Sequence, residues 1–139
     1  MSELNLMKTH KRFYAAAVAM EMTLSLPKQE KVMVKLRVSF ENGCGYCIRM
    51  HSREALKLGL GQDWVDALEA WPATHSLFDA RENLILSFTT AGTRLPDRSF
   101  DADLLEQVVA ELGEKTTGDL IATIATINMW NRIGVLSQK

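Results

Sequence analysis

Two thiols and an imidazole share one short stretch of this chain. Asn42-Gly43-Cys44-Gly45-Tyr46-Cys47-Ile48-Arg49-Met50-His51 holds both cysteines of the protein and one of its three histidines. If a helix begins near Cys44, then Cys44, Cys47 and His51 fall at i, i+3 and i+7 and stack along one face. The thiolate is the reactive form of cysteine, and the unpaired N–H groups at a helix N-terminus favour a negative sulfur there. His51 lies one turn beyond Cys47, close enough to act on that thiol directly or through one water. It lies two turns, roughly 10 Å, from Cys44. Local geometry therefore makes Cys47 the thiol with a base and Cys44 its resolving partner.

Other chemistries fit the same residue types less well. A C-x-x-C pair in a reducing compartment suggests a thioredoxin-like fold, but the flanking pattern lacks the strands that fold needs. Structural zinc wants four ligands, and beyond Cys44, Cys47 and His51 only His10 and His75 remain, both distant and without a second ligand pair. No metal is expected. Buried, unreactive cysteines are the remaining alternative.

The elements that must hold the stretch read as helices throughout. Thr9 to Leu24 places Phe13, Ala17, Met20 and Leu24 on one face, with Tyr14 and Glu21 on another; Ser25-Leu26-Pro27 ends it. Pro27 opens a second helix with a Val32, Leu36 and Phe40 stripe. The β-branched density of 31–39 also permits a strand, but nothing nearby supplies a partner. Asn42-Gly43 breaks the chain before a third helix, Cys44 to Leu58, which stops at Gly59. A fourth, Gln62 to Trp71, groups Trp64, Leu68 and Trp71 for packing, and Pro72 closes it. Asp79 and Glu82 form a capping box for a fifth, which carries Leu84, Ile85 and Phe88 to Gly92. Asp101 caps a sixth, with Leu104, Leu105, Val108 and Leu112, ending at Gly113. Thr116 or Thr117 caps a seventh through Leu120, Ile124 and Ile127 to about Val135. This predicts an all-α fold of about seven helices in one domain spanning 1–139, with apolar faces that subunit contacts would cover.

Composition excludes little but points consistently. A length of 139 residues suffices for one real core, and a net charge of −1 gives no support for nucleic-acid or membrane binding. No signal peptide follows Met1, and no run approaches the ~18 apolar residues of a spanning helix, so a cytoplasmic location is expected.

The motif Ser39-x-x-Asn42-Gly43-Cys44-x-Tyr46-Cys47-x-x-x-His51-Ser52 resembles the signature of the AhpD-like alkylhydroperoxidases, within the carboxymuconolactone decarboxylase superfamily. Lys35-Leu36-Arg37 before it, Leu56-Lys57-Leu58-Gly59 after it, Phe78-Asp79-Ala80-Arg81-Glu82 and Ile127-Asn128-Met129-Trp130-Asn131-Arg132 extend the likeness over 13–136. The resemblance implies an all-helical fold assembled as trimers or hexamers. It also implies a thiol-dependent peroxidase whose only redox group is a disulfide, with no other cofactor. Cys47 would attack the peroxide and become a sulfenic acid, Cys44 would resolve that into a disulfide, and His51 would assist proton transfer at Cys47. A thiol reductant, such as a lipoyl-bearing protein, would close the cycle, and a peroxiredoxin is a further partner.

Two positions depart from the family pattern. The relay glutamate expected twelve residues before the first cysteine is Val32, leaving Glu30 and Glu41 as candidate substitutes. The histidine expected before the second cysteine is Tyr46, a further candidate for relay or support. Asn128, Trp130, Asn131 and Arg132 are expected to serve packing or subunit contacts. Competing readings are a non-enzymatic redox or metal-responsive module, and a decarboxylase-type activity as the superfamily name suggests.

Overall fold

The computed structural model describes residues 3–97 and 100–139, and the described residues contain helices and turns but no strand. Seven α-helices follow one another: α1 (Leu6–Thr9), α2 (Lys11–Met22), α3 (Lys28–Asn42), α4 (Gly45–Lys57), α5 (Gln62–Ala70), α6 (Ala80–Thr93) and α7 (Ala102–Leu136). Short 3₁₀ turns at His75–Leu77 and Leu95–Asp97 flank α6.

The organising element is α3. It packs against α4, α5, α6 and α7, and every residue from Val32 to Ser39 is buried. Its β-branched density thus reflects a helix enclosed on all sides. The enclosure extends to charged residues. Arg37 donates from Nη1 to the carbonyls of Leu68 (2.7 Å) and Glu69 (3.2 Å), and from Nε to Thr90 Oγ1 (3.2 Å). Its Nη2 reaches Glu41 at 2.7 Å, and the guanidinium lies over Trp71. One side chain thereby satisfies the orphan carbonyls of α5 and ties them to α3 and α6. Burial draws the Arg37 guanidinium below its ordinary range, against the opposing pull of Glu41.

Local signals set most boundaries. Pro27 caps α3, and the capping box at Asp79 and Glu82 forms with both hydrogen bonds made. Trp71, expected within the fourth helix, is extended instead, because a residue before proline is driven out of the helical region. The expected sixth and seventh helices are continuous in sequence as α7, broken only at Gly113 (φ 84°, ψ 162°), so the second half resumes before Thr116. Buried threonines on α6 and α7 return their hydroxyls to carbonyls one turn back, as Thr93 does to Thr89 and Thr126 to Ala122.

The inward face of α2 differs from the expected one. Ala17 and Leu24 are buried, but Phe13 and Met20 are about half exposed, and Tyr14 and Glu21 face inward with Ala17. The reason is polar: Glu21 forms an ion pair with the buried Lys35 of α3, which rotates α2 toward that contact. Leu105, expected in the core, is likewise more than a third exposed (38%), while Val108 on the same helix is fully buried.

Candidate functional site

The geometry at the thiols begins with the end of α3. Gly43 adopts the left-handed conformation (φ 66°), and two backbone bonds, Gly43 N–H to Phe40 O and Cys44 N–H to Ser39 O, close the helix in a Schellman turn. A residue with a Cβ resists that φ, so glycine is the natural choice there. The turn leaves Cys44 extended at the N-cap of α4, where its Sγ accepts from Cys47 N–H at 3.3 Å. Cys44 and Cys47 are joined as a disulfide. Both are nearly inaccessible, at 1% and 3% exposure, so any reagent must arrive through a defined opening.

Three asparagines lock this turn to α7. Asn42 donates from Nδ2 to Asn128 Oδ1 (2.9 Å) and Asn131 Oδ1 (3.0 Å), and the fully buried Asn131 donates to Ser39 Oγ (3.0 Å). Asn128 and Asn131 therefore position the loop that carries Cys44. Arg132 bonds back to Asn128 on its own helix and is otherwise exposed. Gly134 comes closer still: a Cβ there would stand 2.9 Å from Cys44 Sγ and 3.4 Å from Cys47 Sγ. Only a bare backbone lets α7 pass the sulfurs at this distance.

His51 is buried on α4 beyond Cys47, and its Nδ1 lies 2.9 Å from Glu54 Oε2. The hydrogen bond from His51 holds the Glu54 carboxyl below the usual range against the opposing effect of burial, and nearby Lys35 and Lys31 add to it. An ionised carboxylate can only accept, so Nδ1 carries the hydrogen and Nε2 of a neutral ring keeps its lone pair for a proton. The candidate acids lie elsewhere. Glu30 is bound to Arg81 of α6 (2.6 Å) and Glu41 to Arg37 and Arg94, whereas the carboxylate on His51 Nδ1 is that of Glu54. Val32 is fully buried in the core. Sequence reading passed over Glu54, although its signal was present: residues 44, 47, 51 and 54 continue one helical face.

A cavity of about 230 Å³ opens onto the site. Cys47 and His51 line it; Cys44 does not. Its other walls come from α2 (Tyr14, Val18, Glu21), from Tyr46 and Met50 of α4, from Trp130, Ile133 and Gly134 of α7, and from the chain near Asn5–Met7. Trp130 packs edge-on to Tyr14, with ring centroids 5.6 Å apart, and Lys139 Nζ stands 4.8 Å over the Tyr46 ring. His10 and His75 bond to nearby groups, Thr9 and the carbonyl of Pro72. Among the described residues no group of three or more His, Cys, Asp or Glu side chains is arranged to hold a metal ion.

Residues 5–89 match the model of the carboxymuconolactone decarboxylase family. The chain belongs to that family. It is 31% identical over 111 residues to the uncharacterized protein YdfG of Bacillus subtilis, covering 80% of this chain and 75% of that one. The crystal structure of an Agrobacterium tumefaciens protein of unknown function, described as a candidate antioxidant defence protein AhpD, superposes with a TM-score of 0.94 at 25% identity. The match covers 100% of this chain and 97% of the other. The fold is therefore AhpD-like within the carboxymuconolactone decarboxylase family. No helix among the described residues is long and apolar enough to cross a membrane.

Proposed function

We propose that the protein is a thiol-dependent peroxidase that reduces hydroperoxides with the Cys44–Cys47 dithiol. The observation that carries this reading is that Cys47 lines the cavity beside His51, whereas Cys44 stands behind it at the N-cap. In the reduced protein His51 Nε2 takes the Cys47 proton, and the thiolate attacks the terminal oxygen of a hydroperoxide. The O–O bond breaks, His51 returns the proton to the departing alkoxide, and Cys47 is left as a sulfenic acid. The Cys44 sulfur then attacks the Cys47 sulfur, its thiol proton passes to the departing hydroxide, and water leaves as the disulfide forms. An external dithiol enters by the same cavity and attacks Cys47, expelling Cys44 as a thiolate stabilised by the Cys47 N–H, and its second thiol then displaces Cys47 from the mixed disulfide and leaves as the oxidised reductant. The electrons come from that dithiol, and a lipoyl group on a partner protein is chemically suited to supply them, directly or with a peroxiredoxin as a further partner.

The exposed apolar side chains of α2 and the α7 end, Phe13, Met20, Met22 and Leu136, support a homo-oligomer such as a trimer or hexamer. Light scattering is expected to show more than one subunit at micromolar concentration. The enzymatic test is peroxide consumption with dihydrolipoamide in wild type, Cys47→Ser, Cys44→Ser and His51→Gln. Loss of turnover is expected in both cysteine variants, with one round of sulfenic acid formation retained in Cys44→Ser. Equal rates in wild type and Cys47→Ser would overturn the mechanism.

A further inference from the structure

Glu21 lines the same cavity as Cys47 and leaves one carboxylate oxygen without a partner. Its Oε1 is taken by Lys35 Nζ, whose side chain is buried in the α3 core. Its Oε2 is buried and has no hydrogen-bond partner within the protein. The ion pair through Oε1 holds the carboxylate against Lys35. The same cavity presents a nucleophile, Cys47, and a base, His51, beside apolar side chains such as Val18, Met50 and Ile133. A buried acceptor without a donor is costly unless an occupant supplies one. The occupant that fits these walls therefore brings an O–H at its reactive end and an apolar body behind it.

Resting on the peroxidase reading above, we propose that Glu21 is a substrate-orienting catalytic residue that accepts the O–H of the hydroperoxide. A hydroperoxide carries its only hydrogen-bond donor on the terminal oxygen, the atom that a thiolate attacks. Holding that hydrogen at Oε2 fixes the terminal oxygen in front of Cys47 Sγ and directs the alkoxy oxygen toward His51. The S–O bond forms as the O–O bond breaks. His51 delivers to the alkoxide the proton it took from Cys47, and the original hydrogen stays on the new sulfenic acid, still held by Glu21. Electrons and protons balance within the thiol and the peroxide, and Glu21 itself gains and loses nothing.

The test is made in the full chain carrying Cys44→Ser, where the reaction stops at the Cys47 sulfenic acid. Glu21→Gln keeps the shape of the side chain. Because Lys35 can only donate, it holds the amide oxygen, and the amide NH₂ takes the place of Oε2, turning the acceptor into a donor. Two rate constants are compared at Cys47: sulfenic acid formation with cumene hydroperoxide, and disulfide formation with methyl methanethiosulfonate, which has no O–H or N–H. The expected result is a fall of about 10- to 100-fold for the hydroperoxide, the size of one hydrogen bond to a charged group, with less than about two-fold change for the thiosulfonate. Equal losses with both reagents, or an unchanged hydroperoxide rate, would overturn the role of Glu21 alone. Absence of sulfenic acid in the Glu21-containing parent would instead remove the peroxidase reading and this one with it. If an uncompensated Lys35 prevents folding, the Glu21→Met/Lys35→Met double variant, which leaves no acceptor at that place, carries the same comparison.

Discussion

The closest approach in the site, between Gly134 and the sulfurs, permits a quantitative test of how α7 encloses the dithiol. A Cβ at position 134 would lie 2.9 Å from Cys44 Sγ and 3.4 Å from Cys47 Sγ. Favourable separations between nonbonded heavy atoms run to about 3.5–4.0 Å, so Gly134→Ala demands roughly 0.6–1.1 Å of displacement at Cys44. Neither side yields easily. Cys44 is fixed by its N-cap position and the Asn42 bonds, and Gly134 sits in a helix whose buried residues Asn131 and Ile127 are themselves packed. Overpacking of this kind costs about 1–3 kcal/mol. Ala in place of Gly within a helix gains about 1 kcal/mol, which masks part of the clash in the wild-type background. The two effects separate in a double-mutant cycle. In Cys44→Ala the sulfur at 2.9 Å is gone and Cys47 is free to turn, so Gly134→Ala should be neutral or stabilising by up to about 1 kcal/mol. In the oxidised wild type the same change should be neutral to destabilising by up to about 2 kcal/mol, giving a coupling of about 1–3 kcal/mol. Urea unfolding of the four proteins measures it, and effects of the cross-link on the unfolded chain cancel, since Gly and Ala are compared within one background. An equal cost of Gly134→Ala with and without Cys44 would refute the claim that this glycine exists to admit the sulfurs.

Two further changes probe the supports of the site. Glu54→Gln replaces the charged acceptor on His51 Nδ1 by a neutral amide that can present either its oxygen or its NH₂, and Cys47 thiol reactivity at neutral pH should fall by about 10-fold, measured by alkylation of the reduced protein. Because the folded Glu54 carboxyl is held below its ordinary value, its stabilisation is fully present above the usual glutamate range and is lost as pH falls through the folded value. The wild type should therefore exceed Glu54→Gln in urea midpoint at pH 7, and the gap should close in acid; a gap that widens on acidification would contradict the assignment. Asn131→Ala removes one buried and one partly buried hydrogen bond, leaving Ser39 without one donor, and should cost about 2 kcal/mol by the same denaturation assay while slowing disulfide closure.

Much of this arrangement is written locally. Gly43, Asp79, Pro27 and Gly113 each impose a backbone preference that acts within a few residues, and each appears in the structure where the chain places it. The stripe of Cys44, Cys47 and His51 is likewise a consequence of helical periodicity once Gly43 fixes the start of α4. What periodicity cannot decide is which of several polar residues a helix turns inward. Phe13 and Met20 outrank Tyr14 and Glu21 in hydrophobicity, so the pattern assigns them to the core. The orientation of α2 is set instead by Lys35, fourteen residues later in sequence and buried on a different helix. The pairing of Glu30 and Glu41 escapes periodicity for the same kind of reason, since Arg81 and Arg94 reach them from distant segments.

The absence of a glutamate at position 32 takes on a different meaning in this setting. Val32 belongs to the stretch of α3 that other helices cover completely, and a carboxylate there would have to be desolvated and paired within the core. The two acids that do adjoin the chemistry avoid that cost in different ways. Glu54 is partly open to solvent on α4 and holds His51 from the side away from its free nitrogen. Glu21 is compensated by Lys35 and borders the cavity from α2. On the proposed mechanism, the work that a single relay acid could do, orienting the base and receiving the substrate, would be divided between Glu54 behind His51 and Glu21 at the cavity. Such a division predicts separable defects: loss of Glu54 should weaken Cys47 toward every electrophile, whereas loss of Glu21 should weaken it only toward those that carry an O–H.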